Sequence, residues 1–145
     1  KYLLLIFGLM LFASTAQAES KSIKFVDLPL AQQLLIANFD DVLDEKLTRL
    51  AWCESRNNST IRVWDVHSYS FGILQFKTPT FLSNGRRYGI LPEALTNREA
   101  LLLIYNKNVQ FAIAREMLRD GQWRAWFNCA KTIGLDDIPH FVYNY

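Results

Sequence analysis

Histidine and cysteine are scarce in this chain, two of each among 145 residues. His67 and His140 lie far apart, and no CxxC or HxxxH spacing occurs, so neither a metal site nor a cofactor is expected. Charge of one sign is lacking too. The 16 basic and 14 acidic residues leave a net +2, too weak and dispersed for nucleic acid to be the main partner. Only 6 glycines and 4 prolines occur, with no Gly-, Ser- or Pro-rich linker, no repeat and no low-complexity tract, so a second domain is not expected. Long hydrophobic runs are missing as well: the stretch from Tyr2 to Ala13 falls short of the roughly 20 apolar residues that cross a bilayer.

What is present is the make-up of one globular domain with one core, 50% hydrophobic and 21% charged. Residues 1–18, KYLLLIFGLMLFASTAQA, combine a basic start, an apolar run and the small-x-small pattern Ala16-Gln17-Ala18 of a signal-peptidase site. Cleavage is expected after Ala18, with an uncleaved N-terminal anchor as the alternative. The mature chain is then exported, to a periplasm, cell envelope or medium, without stable membrane insertion. Export bears on the cysteines. In an oxidising compartment Cys53 and Cys129 have only each other, and a disulfide closing so long a loop typically adds about 2 to 4 kcal/mol. Two buried thiols are the other reading.

Patterning predicts an α+β chain, predominantly α, with a small β element. Residues 19–39 read as a helical lead in which Leu30, Leu34 and Leu35 share a face behind Pro29. A second helix is expected from Asp40 or Asp41, with Leu43, Leu47 and Leu50 as its stripe. The β-branched and aromatic stretch IRVWDVHSYSFGILQF predicts a short hairpin or irregular β excursion. A brief helix follows from Thr78-Pro79 to about Asn84-Gly85. TNRE, from Thr96 to Glu99, is a capping box that opens what is expected to be the longest helix, stopped at Gly121. A last short helix holds Trp123, Trp126 and Cys129. The domain runs over 40–134, and 135–145 is a tail without clear period.

One residue breaks the apolar pattern. At 100° per residue, Leu43, Leu47, Leu50 and Glu54 fall within about 60° of one another, so a carboxylate continues the buried stripe. In the last turn the helix dipole disfavours its anion, and burial acts the same way, so both raise its pKa. A carboxylic acid kept protonated can deliver its proton to a leaving glycosidic oxygen. An edge residue in solvent is the ordinary alternative.

Further motifs surround it. Cys53-Glu54-Ser55, Gly72-Ile73-Leu74-Gln75-Phe76 with Pro79-Thr80, Thr96-Asn97-Arg98-Glu99 and Trp126-Phe127-Asn128-Cys129 follow in order. Over about residues 44–130 the chain resembles the lysozyme-like superfamily that cuts peptidoglycan, above all resuscitation-promoting factors and soluble lytic transglycosylases. The resemblance implies a lysozyme-like fold, Glu54 as the acid, and a disulfide tying the catalytic helix to the C-terminal one. It departs at Arg56-Asn57-Asn58-Ser59, where the family has Gly-Gly-Asn-Trp, and at Phe71, where it has glycine.

Beside Glu54, Gln75 is a candidate for binding an N-acetyl group or orienting water, or for tying a strand to a loop. Thr80 is a candidate for a bond near the acid or for capping a turn. Tyr69 and Trp64 are candidates for stacking on sugars, against ordinary core packing. Asp65 is the only local second carboxylate, and turn formation is its plainer role. The expected function is cleavage of peptidoglycan glycan strands between N-acetylmuramic acid and N-acetylglucosamine by a monomer, as a lytic transglycosylase or a hydrolase. The alternative is a peptidoglycan-binding module that keeps the fold without the chemistry.

Overall fold

The computed structural model describes residues 30–136; the expected signal peptide and most of the expected tail lie outside the described residues. The described residues are about 60% helical with one small antiparallel sheet, the predominantly α, α+β class expected. The order is α1 (Leu30–Ser55), β1 (Arg62–Asp65), β2 (Ser68–Phe71), β3 (Phe76–Lys77), α2 (Thr78–Arg87), α3 (Asn97–Leu103), α4 (Lys107–Arg119), a 3-10 turn (Trp123–Trp126) and α5 (Phe127–Thr132). No described helix is long and apolar enough to cross a membrane.

Helix α1 is the spine, and its 26 residues correct the expected break at Asp40 or Asp41. Phe39 and Leu43 are both buried, one turn apart, so the apolar stripe runs through the expected boundary. Asp40 does not cap a helix but pairs with Arg119 of α4 at 2.6 Å. Leu43, Leu47, Leu50 and Ala51 are fully buried, on faces met by α4 and α5. Leu30 and Leu34, by contrast, are exposed.

Three more boundaries move. Helix α2 continues through Gly85 to Arg87, because Gly85 is buried where a Cβ would come within 2.3 Å of Leu91 Cδ1. There the glycine serves close packing and not termination. The capping box forms as expected: Glu99 N–H donates to Thr96 Oγ1 at 3.3 Å and Thr96 N–H to Glu99 Oε2 at 2.8 Å. The helix it opens is short, however. A fresh N-cap at Asn106, whose Oδ1 accepts from the amides of Asn108 and Val109, starts α4. The longest helix is therefore α1.

The sheet runs in the order β1-β2-β3. β1 and β2 form a hairpin closed by Val66-His67, with Arg62 opposite Phe71 and Asp65 opposite Ser68. Between β2 and β3 the chain makes a tight loop, residues 72–75, and buried polar side chains hold it on three sides. Ser55 Oγ donates to Ile73 O at 2.8 Å. Trp126 Nε1 donates to Leu74 O at 2.8 Å. Gln110, with no exposed surface, accepts from Leu74 N–H at 2.7 Å, donates to Phe71 O at 3.0 Å and also donates to Ile104 O. Gly72 has φ +72°, and a Cβ there would sit 2.1 Å from Gln110 Nε2. Only glycine leaves room for the clamp.

Gln110→Leu keeps the volume but strands one buried N–H and two carbonyls. A loss of about 3 kcal/mol in urea unfolding is expected, since each buried polar group left unpaired costs about 1 to 3 kcal/mol. A loss below about 1 kcal/mol would show that the clamp contributes little.

Candidate active site

Beyond Ser55 the helix cannot continue, because Arg56 and Asn57 both turn left-handed, at φ 57° and 61°. Their amides close back onto Trp52 O at 3.0 Å and Ala51 O at 3.2 Å, satisfying carbonyls that the helix end would orphan. Glu54 thereby lies in the final turn, one residue before the break. Its neighbour Cys53 is bonded to Cys129 of α5, with Cα atoms 5.8 Å apart. The disulfide reading therefore holds.

Glu54 lines a cleft of about 380 Å³ whose other walls are the sheet and the segment from Arg124 to Asn128. Ser70 of β2, Gln75 and Lys77 of the β3 region and Thr80 of α2 face it from one side. Its carboxyl is half-buried and has no hydrogen-bond or ion-pair partner among the described residues. Burial raises its pKa above the ordinary glutamate range, with no neighbouring cation opposing the shift. A carboxyl without partners in a desolvated position is suited to holding a proton and releasing it to a bound oxygen.

Gln75 stands at the same cleft with a left-handed backbone at φ 51°, which costs a non-glycine residue on the order of 1 kcal/mol. Its Nε2 donates to Gly72 O at 2.7 Å, so the amide ties down the loop while it borders the cleft. Both readings of Gln75 thus have a basis in one geometry. Thr80 lines the cleft as well, and its carbonyl accepts from Asn84 Nδ2 at 3.1 Å.

Asp65 reaches the cleft too, but it is exposed and bound to Lys77 Nζ at 2.9 Å. The carboxylate thus stands at the cleft as half of an exposed ion pair.

Tyr69 is not brought there. Side chains alternate along a strand, and with Ser70 facing the cleft its neighbour Tyr69 borders a separate groove with Arg62, Phe71 and Pro79. Arg62 lies over the Tyr69 ring, 3.5 Å from its centroid, and Trp64 packs edge-on at 4.7 Å. The exposed aromatics form an outer hairpin surface, away from Glu54. Trp126 is buried against Phe76.

Ser70, Lys77, Arg124 and Asn128 line the cleft without having been singled out by the sequence. Alternation in β2 gives a faint signal for Ser70. For Arg124 no local pattern exists, and Asn128 falls within the Trp126–Cys129 motif without a role of its own, because the disulfide and the Trp126 bond to Leu74 bring that segment across.

Known protein families, curated proteins and solved structures contain no match to this chain.

Proposed function

We propose that the chain is an exported enzyme with a lysozyme-like arrangement that cleaves the β-1,4 bond between N-acetylmuramic acid and N-acetylglucosamine in peptidoglycan. The carrying observation is Glu54: a carboxyl with no partner among the described residues, desolvated, and facing a cleft large enough for sugar rings. The disulfide is in keeping with export. The two left-handed residues after Ser55 also support the resemblance, since they stand where the family carries Gly-Gly, the residue type that most readily adopts positive φ.

With Asp65 engaged by Lys77, Glu54 works alone, and a single acid suits the transglycosylase route. Its proton passes to the bridging oxygen as the C1–O bond breaks, freeing the 4-hydroxyl of N-acetylglucosamine. The carboxylate left behind takes the proton of the muramyl 6-hydroxyl as that oxygen bonds to C1 and closes a 1,6-anhydro ring. No water is consumed, and Glu54 ends protonated as it began.

Mass spectrometry of peptidoglycan incubated with the protein tests this directly. Fragments ending in anhydromuramic acid are expected, each one water lighter than a hydrolytic product. Reducing ends alone would replace the transglycosylase by a hydrolase. Binding to glycan with no fragments released would favour the non-catalytic module.

A further inference from the structure

Four ionisable residues line the cleft, and one of its two cations has no ion-pair partner among the described residues. Glu54 is biased toward its neutral form. Lys77 and Asp65 neutralise each other at 2.9 Å. Arg124 remains, with no hydrogen bond or ion pair to any described residue. Its guanidinium lies 5.5 Å from the centroid of Trp123, and Trp123 is stacked on Phe127 with centroids 6.0 Å apart and planes at 22°. A flat cation over an aromatic ring is restrained in orientation while its N–H donors stay free at the edge. The other polar residues of the cleft walls, Asn128, Gln75, Thr80 and Ser70, are neutral. Arg124 is therefore the cation of the cleft that lacks a counterion among the described residues, on the wall opposite the sheet.

An unpaired, ring-supported guanidinium is shaped for two-pronged recognition of a carboxylate. We propose that Arg124 makes the cleft selective for glycans that carry carboxylates over neutral ones of the same length. This rests on the reading above that the cleft takes glycan strands. A peptidoglycan strand offers such groups in two places, the lactyl ether of a muramyl residue stripped of peptide and the side chains and end of an attached peptide stem. Chitin fragments offer neither.

Binding to the Glu54→Gln protein, which cannot consume its ligand, is the test, measured by calorimetry. The ligands are chitotetraose, a peptide-free muramyl tetrasaccharide and the same tetrasaccharide bearing stems. The protein is expected to prefer at least one carboxylate-bearing glycan, and adding Arg124→Gln should shrink that preference about tenfold. Arg124→Lys should restore part of it, and Arg98→Gln, outside the cleft, should leave it intact. Loss with the peptide-free ligand alone identifies the lactyl carboxylate, loss with the stem-bearing one alone identifies the peptide, and loss with both shows that Arg124 takes either. No preference, no binding, or a preference untouched by Arg124→Gln overturns the inference. Cleavage by the unsubstituted protein with Arg124→Gln showing an undiminished preference would leave the enzymatic reading standing and this one fallen; binding selectivity without any cleavage would do the reverse.

Discussion

Glu54→Gln is expected to lower glycan cleavage by at least a hundredfold and by as much as about 10⁴-fold, the range a positioned general acid supplies. The substitution preserves size and leaves an amide where the carboxyl stood, so a fall in rate without loss of folding isolates the proton. Fragment release measured on the folded variant decides the point. Activity retained in full would end the enzymatic reading.

The same residue links activity and stability to pH. Burial raises the Glu54 pKa, so the folded chain holds this proton to a higher pH than the unfolded chain does. Between the two values the folded state binds more protons, and stability falls as pH rises through that window. Glu54 therefore costs stability at neutral pH and not in acid. Glu54→Gln should melt higher than the unsubstituted protein at pH 7, with the gap closing below about pH 4, where both states are protonated. Cleavage should decline with a one-proton limb as pH passes above the raised pKa. A melting gap that does not change with pH would show that the carboxyl is not desolvated.

Removing the disulfide should have the largest effect on stability. Cys53 and Cys129 are 76 positions apart, and a crosslink closing such a loop restricts the unfolded chain by about 4 kcal/mol in the chain-entropy description. For a domain of this size that corresponds to a fall in Tm of roughly 12 to 20 °C. The double variant Cys53→Ala with Cys129→Ala, or reductant on the native chain, should show it in thermal unfolding. The crosslink also fixes α5 and the Arg124–Asn128 segment against the helix turn that carries Glu54. Cleavage by the double variant, assayed well below its own Tm, should accordingly fall through weaker substrate binding, seen as a raised KM. A Tm that reductant does not change would show that the bond adds nothing.

Features that depend on neighbours along the chain were legible beforehand. The period of Leu43, Leu47 and Leu50 marks a buried stripe, and Glu54 stands out because it extends that stripe with the wrong chemistry. The Thr96–Glu99 capping box forms as read, since its partners are three residues apart and need nothing else. The hairpin was visible from its β-branched and aromatic content. Helix breaks were less legible. Asp40, a good N-cap by type, lies inside a helix because Arg119 engages it and Phe39 and Leu43 are buried on either side. Gly85 reads as a stop, yet it is a contact surface for Leu91. A local signal gives way where a tertiary partner is worth more.

The sequence alone determined the α+β class, the apolar spine, the odd placing of Glu54 and, with only two cysteines, the sole intramolecular crosslink available. Tertiary structure alone decided that Lys77 engages Asp65, that Tyr69 faces away while Ser70 faces in, and that Arg124 reaches the cleft without an ion pair among the described residues. The physical reason is distance along the chain. Periodicity and capping are set by residues within a turn or two, whereas charge pairing and the walls of a cleft join segments tens of residues apart, whose approach is fixed only when Gln110, Trp126 and the disulfide draw them together.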